Sequence, residues 1–209
     1  LRLGTVQELN IYEDINAHAI TGSMHIVDAH NIITGASLQG NERLLFKLST
    51  PGSTNKIEDT VDATEETGHP FHIYALTDRV NLSETTMAYT LHFCSRELFR
   101  NARTRVSKAY DGGLANAVVS ILRDEDGLDS KKDLYFEKTR NQDKIVIPNL
   151  NPFSAIRMIC KRSLPEMQGT KGVGYLFYET TKGFHFRSWE SLCVSKSGHE
   201  RESVQSFRY

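Results

Sequence analysis

Eight histidines, three cysteines and a charged fraction of 24% give this chain the raw material for metal, acid–base or nucleophilic chemistry, so spacing has to decide. The one close histidine cluster is His25-x-x-Asp28-x-His30. It lies where a strand runs into a turn, so the imidazoles need not converge, and no later His or Glu completes a ligand set. Surface and turn histidines are the simpler reading. Paired carboxylates occur at Glu13-Asp14, Glu65-Glu66 and Asp124-Glu125-Asp126. Neighbours in a strand point to opposite faces and loop pairs splay into water, so none forms an acid–base dyad. The last cluster ends a helix at its negative pole, which marks a helix stop. Gly-x-Ser-x-Gly is absent and no serine has a readable His and Asp context. Gly172-Val173-Gly174 lacks the Lys-Ser/Thr ending of a phosphate loop and leads into a strand. Cys94, Cys160 and Cys193 show no CxxC or Cys–His spacing and read as buried, reduced thiols. The residues thus predict no catalytic group, no metal site and no cofactor.

Charge patterning is more informative. Arg96, Arg100, Arg103, Arg105 and Lys108 form a basic strip interrupted only by Glu97. Arg96, Arg100 and Arg103 fall near i, i+4 and i+7, so they share one helix face. The acidic counterpart is the stretch 51–68, which carries Glu58, Asp59, Asp62, Glu65 and Glu66 against Lys56. A solvated face, a nucleic-acid-facing strip and a protein interface are all compatible with the basic run. Segregated charge on a chain of formal net charge −1 fits head-to-tail assembly.

These residues need elements to hold them. At 209 residues with 39% hydrophobic content, the chain suits one large domain or two small ones. No apolar run approaches the ~20 residues that span a bilayer, and no secretory signal is visible. The chain opens Leu-Arg-Leu-Gly and ends Ser-Phe-Arg-Tyr, which reads as a piece of a longer protein. Alternation predicts strands over Glu8–Tyr12, Gly22–Val27, Arg43–Leu48, Phe71–Val80 and Met87–Cys94, with a turn at Asp28–Asn31. Five such strands suggest a small antiparallel barrel or sandwich. The stretch 51–68 reads as a loop that orders on meeting a partner.

After Cys94 the pattern turns mixed. Ser95 can cap a helix through Asn101 anchored by Leu98 and Phe99. Leu114, Val118, Ile121 and Leu122 mark a second helix launched by the turn Asp111-Gly112-Gly113 and stopped near Gly127. Asn151 and Pro152 open a third, with Phe153, Ile156 and Cys160 inward. Leu134–Glu137 and Lys144–Ile147 are short strands between the helices. Tyr175–Leu192 is a hairpin around Thr-Thr-Lys-Gly, with Tyr175, Phe177 and Glu179 on one face and Leu176, Tyr178 and Thr180 on the other. Both faces need cover, Tyr178 and Trp189 among them, which points to a protein that assembles.

Several phrases then fall into a familiar order. They are Glu8-Leu9-Asn10-Ile11-Tyr12-Glu13-Asp14-Ile15, Thr21-Gly22-Ser23 and Leu91-His92-Phe93-Cys94-Ser95-Arg96-Glu97. Asn101, Arg105-Val106-Ser107-Lys108 and Tyr110 follow, then Ile147-Pro148-Asn149 and Pro152-Phe153-Ser154-Ala155-Ile156. Phe177-Tyr178-Glu179-Thr180, Gly183-Phe184 and Phe186 close the series. Over most of residues 6–192 the order resembles the baseplate hub proteins of T-even-like contractile-tailed bacteriophages.

The resemblance implies an α+β fold. Residues 1–104 would form an N-terminal antiparallel β-barrel-like tube domain, 105–174 a mixed α/β insert, and 175–209 the start of a second β-barrel-like domain. It implies a structural, non-enzymatic virion protein of the tail baseplate, assembled in the bacterial host cytoplasm without membrane insertion. Its expected partners are two further copies in a trimeric ring, the central spike protein (lysozyme-bearing in the family), the tail tube or tube-initiator protein, the tape-measure protein and the baseplate wedge. DNA would pass through only in transit. The expected subunit interface comprises Arg96, Arg100, Arg103, Arg105, Lys108, Glu58, Asp59, Glu65, Glu66, Tyr178 and Trp189, with the basic strip away from any open channel because clustered cations grip phosphate. The alternatives are a tail-associated cell-wall hydrolase and a nucleic-acid-binding module using the basic strip.

Overall fold

The computed structural model describes residues 5–30, 32–36, 40, 42–49, 60–66, 69–166 and 174–193. It is an α+β fold with barrel-like character in its sheet. Contacts divide the chain into two compact units. The first is Leu1–Ala102 with Glu179–Lys182, and the second is Arg103–Tyr178 with Gly183–Tyr209. The sequence suggests three parts; the structure groups the hairpin strands with the α/β region and returns the hairpin tip to the first unit.

The first unit begins with β1 (Val6–Tyr12) and β2 (Thr21–Asp28), followed by the short helix α1 (Ile32–Ala36). Next come β3 (Arg43–Leu44), β4 (Phe46–Ser49), β5 (Thr60–Ala63), β6 (Phe71–Asn81), β7 (Met87–Ser95) and helix α2 (Arg96–Arg103). Five strands pair in the order β1-β2-β7-β6-β3, antiparallel throughout, as a curled half-barrel. Alternation sends Met24, Ile26, Tyr89, Leu91 and Phe93 to one face, where they form the core with Ile20, Leu44, Phe71 and Ile73. Phe46 stacks on Phe71 at 5.6 Å, and Phe93 closes the trio at 5.2 Å from Phe71. Rings at such distances add roughly 1 kcal/mol beyond their burial. Gly22, paired across the sheet with Phe93, makes room for that ring: a Cβ there would collide with it and with the Asn10 carbonyl.

Four readings change here. The strand expected over Arg43–Leu48 breaks at Leu45, so β3 joins the large sheet while β4 pairs with β5. Thr60–Ala63, expected within a loop, is that paired strand; residues 51–59 and 67–68 lie outside the described residues. The helix after β7 buries Glu97 and leaves Leu98 and Phe99 only partly covered. Ser95 ends β7, and its hydroxyl donates to Glu179 Oε2 (2.7 Å).

The second unit contains β8 (Val106–Gly113), α3 (Leu114–Arg123), β9 (Leu134–Phe136), β10 (Gln142–Leu150) and α4 (Pro152–Cys160). Then follow β11 (Tyr175–Thr180), β12 (Gly183–Ser188) and the short helix α5 (Trp189–Cys193). Asp111-Gly112-Gly113, expected as a turn, is the end of β8, which pairs antiparallel with β10. The expected inner stripes hold: Leu114, Val118, Ile121 and Leu122 of α3 and Phe153, Ile156 and Cys160 of α4 are all buried. The α3 backbone closes with Gly127 N–H donating to the Asp124 carbonyl and Leu128 N–H to that of Ile121. Asn151 precedes Pro152 as expected, with its carbonyl accepting from Ala155 N–H (2.9 Å) and no side-chain capping bond.

The hairpin forms around its Thr-Thr-Lys-Gly turn, but its second strand ends at Ser188, and Trp189–Cys193, expected as part of the hairpin through Leu192, is the helix α5. Tyr175, Phe177 and Glu179 are buried on one face of β11, and Phe184, Phe186 and Ser188 on β12. Phe177 stacks on Phe184 at 5.3 Å and Tyr175 on Phe186 at 4.5 Å. Gly183 takes φ +136°, where a side chain would also meet the Asp133 carbonyl. Strand β12 continues the sheet by pairing parallel with β9. Cys94 and Cys160 are buried free thiols, while Cys193 is exposed, against the expectation for all three. Burial pushes the Cys160 thiol up to about 12, which keeps it protonated.

The hairpin tip matters within the first unit. Glu179, only 1% exposed, accepts from the Ile20 N–H (2.9 Å) and the Ser95 hydroxyl (2.7 Å) on one oxygen. Thr181 N–H donates to Glu13 Oε1 beside it. Glu179→Ala leaves two buried donors unsatisfied and is expected to cost about 2–3 kcal/mol in urea unfolding. Glu179→Gln, which keeps an acceptor, is expected to cost less. Equal midpoints for Glu179→Ala and the native protein would remove this role.

Candidate assembly surfaces

The sequence's charged segments meet partners inside the chain. Lys47 donates to Asp62 at 2.7 Å, and Asp62 also accepts from the Thr64 hydroxyl at 2.7 Å. The lysine bond holds the Asp62 carboxyl below its ordinary value, and the same bond raises Lys47. Glu65 pairs with Arg43 at 3.0 Å. Strand β5 therefore sits in its hairpin with its acid groups already matched in part by β3 and β4. Glu66 is exposed; Glu58 and Asp59 lie outside the described residues.

The basic strip divides at the unit boundary. Arg96 and Arg100, half-buried on α2, belong to the first unit, while Arg103, Arg105 and Lys108, all exposed, belong to the second. In the second unit the strip enters β8 opposite the C-terminal turn of α3. Between them lies a cleft of about 530 Å³ lined by Arg103, Arg105, Lys108 and Tyr110 on one side and Asp124–Gly127 on the other. On its floor Asp124 accepts from the Ser120 hydroxyl (2.6 Å) and from Lys108 Nζ (3.2 Å). The serine bond first, and the lysine second among the favourable contacts, keep Asp124 ionised, while Asp124 keeps Lys108 protonated. Lys108 also lies over the Tyr110 ring at 5.4 Å.

A second surface was not singled out by the sequence. On the face of the large sheet away from its core, Glu8, His25, Thr90 and Thr77 stand in one cross-strand row, with Asn10, Ser23, His92 and Ala75 in the next; Ser23 and Thr90 are themselves buried, while His25 and His92 are half-buried. Asn10 donates to Glu8 (2.9 Å) and reaches Ser23 (3.4 Å); His25 Nδ1 meets the Thr90 hydroxyl at 2.9 Å. Thr77 donates its one hydroxyl proton to Asp78 (2.8 Å), so its contact with His92 Nε2 (2.9 Å) has the histidine donating. Strands β1, β2 and β7 contain no lysine or arginine. Only the register brings these positions into rows.

The remaining candidates fall as follows. Tyr178 stacks on His185 at 4.9 Å, and His185 on Tyr135 at 4.9 Å, so three rings cross β11, β12 and β9 as a ladder that covers much of Tyr178. Trp189 is 52% exposed at the start of α5. The histidine cluster does not converge: Asp28 is fully buried and accepts from the His30 and Ile32 N–H groups, while His25 contacts Thr90 and Glu8. Burial first, and Asp28 second, push the Tyr89 hydroxyl up to about 12. Among the described residues no group of three or more His, Cys, Asp or Glu could hold a metal ion, and no helix is long and apolar enough to cross a membrane.

Asp62 and Asp124 titrate below the ordinary aspartate value of 3.8 in the folded chain. Their stabilisation is complete above that value and is lost as pH falls through the lower folded values. The urea midpoint of the native protein is expected to drop more steeply below about pH 4 than that of an Asp62→Asn/Asp124→Asn variant. Parallel pH profiles would contradict the assignment.

No protein-family model matches the chain, and no curated protein matches it. Solved structures do. The 43 kDa tail protein of prophage MuSo2 from Shewanella oneidensis matches with TM-score 0.54 and 10% identity, over 91% of this chain and 51% of its own. The tail protein of Neisseria meningitidis MC58 matches with TM-score 0.52 and 12% identity, over 88% and 47%. The E. coli c3393 protein is described as a type VI secretion component with structural similarity to the T4 bacteriophage tail proteins gp27 and gp5. It matches with TM-score 0.50 and 14% identity, over 93% and 51%. At these identities the likeness is one of fold, and the chain spans about half the length of each of these proteins.

Proposed function

We propose that this chain is a structural component of a bacteriophage tail, acting in a baseplate hub of the T-even-like contractile type. The observation that carries the proposal is the shared fold over 91% of the chain with a phage tail protein; likeness to a second tail protein and to a type VI secretion component supports it. In this role three copies form a ring between the tail tube or its initiator and the central spike, with the tape-measure protein and baseplate wedge as further neighbours. Residues 1–104 act as a tube-type domain, 105–174 as the insert between two such domains, and 175–209 as the opening of the second. The protein works in the virion tail and performs no catalysis of its own.

Two surfaces take different parts in this proposal. The polar face around His25 and His92 faces the channel, because β1, β2 and β7 hold no lysine or arginine to bind DNA phosphates, and the one cation of the adjoining β6 is Arg79, beyond Thr77. The arginine-rich segment from Arg96 to Lys108 lies between subunits, with Tyr178 and Trp189 contributing aromatic area. Glu58, Asp59, Glu65 and Glu66 supply negative charge to the neighbour. Lys108 and Glu65 each have an ion-pair partner within the chain as well. The Asp124–Asp126 turn beside the basic residues disfavours a free-standing nucleic-acid site.

Native mass measurement of the protein expressed with the tube and spike proteins of its own phage tests the ring. Three copies per spike complex are expected; a chain that enters no complex overturns the proposal. For the channel, His25→Arg/His92→Arg, at the partly exposed positions of this face, is expected to slow DNA ejection from the assembled phage by about tenfold or more, with assembly unchanged. An unaltered ejection rate would move the channel to another surface.

A further inference from the structure

The cleft in the second unit carries more charge than it neutralises. Its inner pair is complete: Lys108 is bound to Asp124, which Ser120 also holds. The outer groups are different. Arg103 and Arg105 are exposed, line the cleft, and have no hydrogen bond or ion pair with any described residue. Across from them, the exposed Asp126 has Lys108 as its electrostatic neighbour, and that lysine is already committed to Asp124. One wall is left with surplus positive charge and the other with surplus negative charge.

That arrangement restricts the partner. A polyanion such as nucleic acid is attracted by the arginines and repelled by Asp124-Glu125-Asp126, so it gains little. A polycation meets the reverse balance. Both walls are satisfied when neighbouring copies supply the opposite charge, an acidic turn to the arginines on one side and arginines to the acidic turn on the other. The guanidinium fork favours carboxylates as its partner, since it can donate two parallel hydrogen bonds to one. The cleft is lined mostly by charged and polar residues, which suits interlocking side chains of opposite charge and not a buried apolar anchor.

We propose that this cleft is a contact between copies of the chain, in which Arg103 and Arg105 of one copy meet the Asp124-Glu125-Asp126 turn of the next. The proposal rests on the reading of the chain as a self-assembling ring subunit, and it identifies the acidic surface that two of its arginines engage. Because the two walls are different surfaces, the contact repeats head to tail, which is the kind of contact that closes a ring. Complementary charge of this sort sets register and rejects wrong partners more than it adds affinity. The inner Lys108–Asp124 pair fixes the spacing of the walls and is not part of the exchange.

Charge reversal tests this directly by sedimentation of the purified chain at low and high salt. Arg103→Glu/Arg105→Glu opposes acid to acid, and Glu125→Arg/Asp126→Arg opposes base to base. Each pair is expected to weaken self-association by about tenfold or more, with unchanged circular dichroism. The variant carrying all four substitutions reverses both walls and is expected to return to within about threefold of the native constant. Native association should also weaken as salt rises. Failure of the four-substitution variant to recover, or pair variants that associate like the native chain, would overturn the contact. In the second case association itself persists, so the ring reading stands while this surface is excluded. A native chain that remains monomeric under all conditions would remove the contact as well.

Discussion

A single buried carboxylate governs how the first unit is finished. Glu179 arrives on the tip of a hairpin whose strands belong to the second unit, yet its side chain is enclosed in the first. There it satisfies the Ile20 N–H, at the entrance to β2, and the Ser95 hydroxyl, at the exit of β7. Those two positions also bond to each other, Ser95 N–H donating to the Ile20 carbonyl at 3.0 Å. Burying a carboxylate is costly unless donors surround it. The donors exist only when β2 and β7 are in register, so the cost makes the arrangement specific. Ser95 then passes directly into α2, which sets the positions of Arg96 and Arg100.

From this constraint the two faces of the large sheet follow. Register fixed at the Ile20–Ser95 end carries along β2 and β7, sending Met24, Ile26, Leu91 and Phe93 to the core and Ser23, His25, Thr90 and His92 to the other side. A slip of one residue would exchange the two sets. The polar face is thus a consequence of the same alternation that builds the core, and its lack of lysine and arginine is a property of the three strand sequences. Charge is concentrated elsewhere, at the start of β8 and the end of α3, where it is half matched and half left for a partner.

What could be read in the sequence depended on how local the determinant was. The hairpin was legible because its turn and its alternating aromatics lie within one short segment, and α3 and α4 because their apolar stripes repeat at helical spacing. Strand β8 was not, since Val106–Gly113 is mostly polar and ends in two glycines; its pairing with β10 lies beyond an intervening helix. Strand β5 was hidden for the same reason, as four residues in an acidic stretch whose partner β4 is non-local. Glu179 was assigned to the correct face, but nothing near it in sequence names Ile20 or Ser95. The sheet's polar rows were not legible, because parity along one strand says nothing of its neighbour. The basic strip was visible as charge, and its neighbour in the fold, the turn at Asp124, was read only as a helix stop.

We propose that one protein surface lets DNA pass while another joins subunits in a phage tail. A side-chain-resolution reconstruction of the assembled tail end tests it most directly. Three copies around the axis are expected, with His25 and His92 facing the lumen and Arg103 and Arg105 against a neighbouring copy. A chain located away from the axis, with that sheet face buried against another protein, would contradict it.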